Sequence, residues 1–340
     1  GNGTEVATID PHKSQGVPES HVIRDLLEGL VNQDSDGNTI PGVAESWETT
    51  DNKTFTFHLR KDAKWSNGDP VTAEDFVYSW QRAVDPGTAS PYSWYMKYTK
   101  MKNAKDIIAG KKNKSELGVK AIDDHTLVVE LDTAVPYFVM MVGHTTMKPV
   151  HKATVEKFGD QWTKPENFVG NGAYKLSKWV VNERLELVRN NEYWDDAKTV
   201  IGKVTFLPIE NAVSEMNRFL SGEIDISYQL PVEHYKRLKK EHPESLSVVG
   251  NLCTYYYSFN TKKEPFNDVR VRKAISYAID RNIVANAILG QGQKPAYFLT
   301  PEITAHFDPE LPNYGKMSQK ERNKEAGSYT HLTLPTINWV

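Results

Sequence analysis

The chain has 340 residues, with 41 basic and 44 acidic side chains spread along it for a net charge of −3, so neither nucleic acid nor an anionic membrane is expected as its main partner. Its length calls for two or three domains, and no apolar run reaches the roughly 18 residues that a membrane span requires. The start, GNGTEVATIDPH, has neither a basic nor an apolar leader region, which fits a soluble chain or a mature form whose signal has been removed; the single cysteine fits either compartment.

In chain order, PESHVIRDLLEGLV predicts a helix with Pro18 in its first turn and Val22, Leu26, Leu27 and Leu30 on one stripe. TFTFHL at 54–59 alternates, with Phe55, Phe57 and Leu59 on one face, and predicts a half-buried strand. VTAEDFVYSWQRAV predicts a helix with Thr72 as N-cap, Glu74 and Asp75 in an acidic first turn, and Phe76, Val77, Trp80 and Val84 at helical spacing. Asp123 and Asp124 sit in AIDDHTL, which reads as a turn before a strand at 126–131 rather than as an acid/base pair. Further strands are expected at 184–189 and 203–209. NDVRVRKAISYAIDRNIVANAIL is the longest helical segment, capped at Asn267 or Asp268, with Val271, Ala274, Ile275, Ala278 and Ile279 inward. A last helix begins at a Ser318 to Glu321 capping box. From Gly327 the pattern breaks, and residues 328–336 resemble a translated sequencing-adapter read-through. Residues 327–340 are therefore set aside as a non-native tail, and a chain cut near residue 326 is expected.

Catalytic motifs are missing: there is no GxSxG elbow, HExxH, P-loop or GxGxxG. His144 and His151 are seven apart, off one helical face, and no cysteine supports a zinc site, so no metal, no cofactor and no enzymatic activity are expected. The positive signal is aromatic: Tyr92, Trp94, Tyr95 and Tyr98 in SPYSWYMKYTK, and Tyr255 to Tyr257 in NLCTYYYSFN, all in polar surroundings. Most such rings pack in cores. In a strand, however, Tyr255 and Tyr257 share one face and Tyr256 takes the other, so at least one face fronts something other than core.

The block PGVAESWETTDNKTFTFHLRKDAKWSNGDPVTAEDFVYSWQRAVDP closely resembles the signature of the extracytoplasmic solute-binding proteins of family 5, which serve peptide and nickel ABC importers. IDPHKSQGVPES, GVKAIDDHTLVVEL, VGNGAYKLSKWVVNERLEL and FNDVRVRKAISYAIDR match in the same order, so the resemblance covers residues 1–326. It implies an α/β fold of the two-lobed, three-domain peptide-binding type, with the second lobe incomplete. Residues 1–27 and 152–252 would form the core domain of the first lobe, 28–151 an inserted α/β domain, and 253–326 the start of the second lobe.

The implied function is capture of short oligopeptides between the lobes by a periplasmic, monomeric carrier without nucleic-acid partners, and their delivery to a membrane permease. A murein-peptide, dipeptide, nickel or haem binder of the same family is the alternative, and a carbohydrate-active enzyme the outside one. A general peptide carrier must bind backbone amides and charged ends, which all peptides share, by strand addition. The resemblance implies that Gln15, Gly16 and Val17 supply one such backbone strand, although Gly16 is also readable as a turn glycine before Pro18. Tyr92 and Tyr256 match ligand-contacting tyrosines, and His144 is a weaker pocket candidate. Gln15 and Ser258 stand where close relatives are expected to carry carboxylates, which would make the pockets less attractive to basic side chains. The family's anchors for the peptide termini would lie beyond residue 326, so residues 1–326 alone are expected to bind peptides weakly or not at all. Cys253 would pair with a cysteine also beyond that point; a buried free thiol is the other reading.

Overall fold

The computed structural model describes residues 1–304 and 306–330, with only the backbone of Thr330. Two compact units follow one another along the chain, divided between Gln229 and Leu230.

The first unit opens with helix α1 (Val17–Leu26), followed by a small β1–β2 hairpin (Val31–Gln33 and Thr39–Pro41). Strands β3 (Ala44–Glu48), β4 (Thr54–Leu59), β5 (Val119–Asp123) and β6 (Thr126–Glu130) form an antiparallel sheet in the order β3-β4-β6-β5. Its β4–β6 register sets Phe55 opposite Val129 and Phe57 opposite Leu127. All four are buried, and they meet α2 (Ala73–Val84) through Phe76, Trp80, Ala83 and Val84. A second antiparallel sheet, β7 (Tyr174–Val180), β8 (Arg184–Arg189) and β9 (Lys203–Phe206), adds Leu176, Leu185 and Leu187 to the same continuous core. Val22, Ile23, Leu26 and Leu27 of the α1 region complete it.

Strands 54–59 and 184–189 fall where the alternation predicts, and the Asp123 side chain closes the expected turn by accepting from the His125 backbone at 2.8 Å. At the start of α2 the Asp75 carboxylate accepts from the Thr72 backbone at 2.8 Å, from its hydroxyl at 3.2 Å, and from the Trp65 indole at 3.2 Å. The first helix is shorter than its apolar stripe suggests. It stops at Leu26 because Gly29 and Leu30 give their carbonyls to Gly42, Val43 and Ala44, so the chain joins sheet-like pairing instead. β9 likewise ends at Phe206, two residues before Pro208, which has no N–H to continue a ladder.

Two contacts fix the segment that precedes α1. Arg82 of α2 forms a bidentate pair with buried Asp10, at 2.6 and 2.9 Å, and the Trp162 indole donates to the same carboxylate at 3.3 Å. Trp80 and Ser79 of α2 hold the segment after residue 144: the indole donates to the Met147 carbonyl at 2.8 Å, and the Ser79 hydroxyl accepts from Val150 N at 2.8 Å.

In the second unit the long predicted helix is broken. Asp268 caps a helix at Val269–Ala278, with Ala274 its buried residue; Ile279 turns extended, and Asp280 accepts from the Asn282 and Ile283 backbones to start a separate helical segment, Ile283–Leu289. The expected inward set of Val271, Ile275, Ala278 and Ile279 is only partly covered or exposed. Residues 251–260 form no strand among the described residues. The Ser318–Glu321 box is formed, with Glu321 accepting from the Ser318 backbone at 2.7 Å, and its helix runs on through Gly327 to Thr330. The rest of the tail set aside in the sequence lies outside the described residues.

Candidate ligand-binding site

The start of α1 is built by packing rather than by backbone strain. Gly16 is the extended N-cap (φ −93°, ψ 162°), a conformation open to any residue. A Cβ there, however, would stand 2.0 Å from a carboxylate oxygen of Glu19. Glu19 is buried and accepts from the Ala7 backbone at 2.9 Å, so it has little room to withdraw. Gln15 is exposed and Val17 is 52 % exposed, but Val17 already begins α1 and the Gly16 carbonyl accepts from the Ser20 backbone at 3.2 Å, so the extended strand expected at 15–17 stops at Gly16. One turn on, the Ser20 hydroxyl meets that of Thr145 at 2.8 Å, which sets α1 beside His144.

His144 lies among the aromatics that SPYSWYMKYTK supplies. Helix α3 (Ser93–Tyr98) begins after Tyr92 and stacks Tyr95 on the imidazole with centroids 4.1 Å apart, while the Tyr92 ring approaches it at 5.4 Å. Burial lowers the His144 pKa, and its Nδ1 accepts from the Thr146 backbone at 3.2 Å, so the ring is neutral at pH 7 with its proton on Nε2. The Tyr95 hydroxyl donates to the Met141 carbonyl at 2.9 Å, and burial pushes its pKa up to about 12. The half-buried Tyr92 has no such hydrogen bond among the described residues and remains available. Trp94, 50 % exposed, extends the ring cluster outward against Tyr92, Tyr95 and Tyr98.

A cleft of about 860 Å³ runs from Ser20, Tyr95, His144 and Thr145 to Tyr193 and Trp194. Its far wall is organised by Glu28. This buried carboxylate accepts from the Tyr193 hydroxyl, the Trp194 indole and Asn32, each at 2.6 Å, while Asn171 bonds both backbone groups of Glu28 at 2.9 Å. Burial raises the Glu28 pKa against the pull of those donors. Beside it, desolvation lowers buried Lys148 to about 8, and its ammonium donates to the Leu27 carbonyl at 2.8 Å. The Arg60 guanidinium lies 3.6 Å over the Trp194 ring and donates to the Gly42 carbonyl at 2.7 Å. Gly172 makes the floor possible, since a Cβ there would come within 2.5 Å of the Asp25 carbonyl.

The structure therefore brings Gln15–Val17, Tyr92 and His144 to neighbouring positions of one unit, joined by the Ser20–Thr145 contact. Ser20, Thr145 and Glu28 carry no signal in the sequence, because their importance comes from partners more than a hundred residues away. Tyr256 and Ser258 belong to the second unit, where both are exposed, as are Tyr255 at 85 % and Tyr257 at 70 %. The rings of Tyr255 and Tyr257 meet edge to face at 5.9 Å, so these two do share a side although no strand holds them. Cys253 is a free and exposed thiol.

Comparison with known proteins agrees across sequence and structure. The chain is 56 % identical over 326 residues to the periplasmic oligopeptide-binding protein OppA of Salmonella typhimurium, an alignment that covers 96 % of the chain and 60 % of that relative. The solved murein tripeptide binding protein MppA of Escherichia coli superposes with a TM-score of 0.91 at 49 % identity, over 96 % of this chain and 64 % of that one. A Haemophilus influenzae OppA complex with RPPGFSPFR gives 0.88 at 50 % identity, over 97 % and 65 %. The chain thus spans about 60 % of the length of the curated relatives it matches, and its mixed helix and sheet fold is that of solved periplasmic peptide-binding proteins. The family model for bacterial extracellular solute-binding proteins, family 5, matches residues 38–329, and the chain belongs to that family of binding proteins.

Proposed function

We propose that this chain is the ligand-capturing part of a periplasmic oligopeptide-binding component of an ABC importer, which acts as a monomer, turns over no substrate and hands short peptides to a membrane permease. The observation that carries the reading is the nearness of the exposed Gln15–Val17 segment to the ring cluster of Tyr92, Tyr95 and His144, across the Ser20–Thr145 contact. An extended peptide recognised by strand addition needs free backbone beside it and roomy, partly aromatic surroundings for its side chains, where water adapts to each sequence. In this reading Gln15 and Gly16 offer backbone, Tyr92 and His144 line a side-chain pocket, and Tyr256 and Ser258 are further candidate ligand contacts. With Gln15 and Ser258 uncharged, basic side chains gain less than they would from carboxylates. A murein-tripeptide ligand is the second reading, favoured by the 0.91 superposition on MppA.

A hybrid tests this: residues 1–326 replace the matching segment of Salmonella typhimurium OppA, and a strain lacking OppA is grown on tripeptides as its source of a required amino acid. Growth is expected with the hybrid, and the Tyr92→Ala/His144→Ala hybrid is expected to lower peptide affinity about tenfold or more. A hybrid that is exported and folded but supports no uptake refutes the reading. Uptake of murein tripeptide alone shifts it to the second one.

A further inference from the structure

Lysines of the first unit are unevenly placed. Residues 91–114 hold seven of them, no arginine and a single acidic residue, Asp106, in a chain whose net charge is −3. Three are already paired: Lys102 with Glu130 at 2.8 Å, Lys114 with Asp85 at 2.7 Å, and Lys112 with Glu116 at 3.9 Å. Lys97, Lys100, Lys105 and Lys111 are exposed and form no ion pair among the described residues. The acids beside them are Asp106, next to Lys105, and Asp132, whose backbone N–H donates to the Lys100 carbonyl at 2.8 Å.

Helix α3 places aromatic side chains in the same surface. Met96 is fully buried, and the helical period of about 3.6 residues turns Trp94 and Tyr98 to the opposite side. There they are 50 % and 57 % exposed, and their rings meet edge to face at 5.8 Å. Lys97 lies between them in the helix, and the Lys100 ammonium stands 6.0 Å from the Tyr98 ring. Helix α4 (Ala104–Ile108) packs on α3, burying Ala104 and Ile107 and leaving Lys105 outside.

Trp and Tyr rings settle at the boundary between water and hydrocarbon, and lysine stems run along apolar surface while their ammoniums reach anionic headgroups. A protein partner suits this surface less well, because protein interfaces are enriched in arginine and depleted in lysine, the reverse of what stands here. We propose that the α3–α4 surface is a docking site for an anionic phospholipid bilayer, with Trp94 and Tyr98 entering the headgroup layer and Lys97, Lys100 and Lys105 meeting its phosphates. The inference goes beyond the peptide reading and does not rest on it.

Cosedimentation of the full chain with lipid vesicles tests it. Vesicles of phosphatidylglycerol and phosphatidylcholine in equal parts are expected to bind the chain at least tenfold more tightly than phosphatidylcholine alone, and the difference should vanish in about 1 M salt. A lysine near an anionic surface is worth about fivefold in binding, so Lys97→Gln/Lys100→Gln should cost at least tenfold. Trp94→Ser/Tyr98→Ser should also cost at least tenfold. No binding to the anionic vesicles, equal binding to both kinds, or full binding by both folded double variants would overturn the proposal; the last result would place the contact elsewhere, as on the exposed tyrosines of the second unit. A change in tryptophan emission with chitotetraose but none with vesicles would overturn it as well and give the surface to a carbohydrate.

Discussion

Buried ionisable groups in the first unit fall into two kinds. Burial alone would raise Asp10, but the Arg82 fork outweighs it and holds the carboxyl below its ordinary range. Asp10 therefore contributes stability that is present above about pH 4 and is lost as the pH falls through its lower native pKa. Asp25 is the opposite case: it is half-buried, and desolvation raises it to about 6 against the pull of Arg24 and Lys148. A raised native pKa means that its contribution is fully present below about pH 4 and is lost as the pH rises through 6. Asp25→Asn is accordingly expected to raise the thermal midpoint at pH 7 by ~2–4 °C, as about 1 kcal/mol does for a domain of this size, with the gain fading toward pH 4. Thermal melts at pH 7 and pH 4 check it; a gain equal at both pH values would show that the charge is not the cause.

Among the elements, α2 is the one on which the site hangs. Its N-terminus is closed by Asp75, its middle ties down Met147 and Val150 through Trp80 and Ser79, and its last turn reaches Asp10 through Arg82. Asp75→Ala removes the acceptor for Thr72 and for the Trp65 indole together and is expected to cost about 2 kcal/mol. Urea unfolding measures it, and a loss below about 0.5 kcal/mol would mean that the cap is dispensable. Periodicity made α2, β4 and β8 legible because each buries one face against neighbours whose period matches its own. It misled at α1 and at 267–289, where apolar spacing continues past the helix end. There Gly29 and Leu30 were claimed by pairing with 42–44, and Asp280 capped a new start.

For the molecule as a whole, the two units differ in how much they bury. The first holds a continuous core with Trp65, Trp80, Phe55, Phe57 and Phe76 fully covered. The second buries mainly Tyr235, Leu238 and three alanines, and leaves Leu252, Tyr255–Tyr257 and Leu299 exposed. Local opening follows buried apolar contact. Amide hydrogens of α2 and β4 are therefore expected to exchange at least a hundredfold more slowly than those of Val269–Ala278. Hydrogen exchange with mass spectrometry decides, and equal protection in both units would contradict this difference in cores.

The sequence by itself determined the family, the principal strands of the first unit, α2 with its cap, and the residue types at Gln15–Val17, Tyr92 and His144, because long ordered motifs and local periodicity need no tertiary partner. It also showed that the tyrosines at 255–257 could not all be core, but the strand expected there does not form. Only the tertiary structure decided that Ser20 meets Thr145 and that Glu28 gathers Tyr193 and Trp194. These pairings join residues more than a hundred positions apart in the chain, which no local pattern can show.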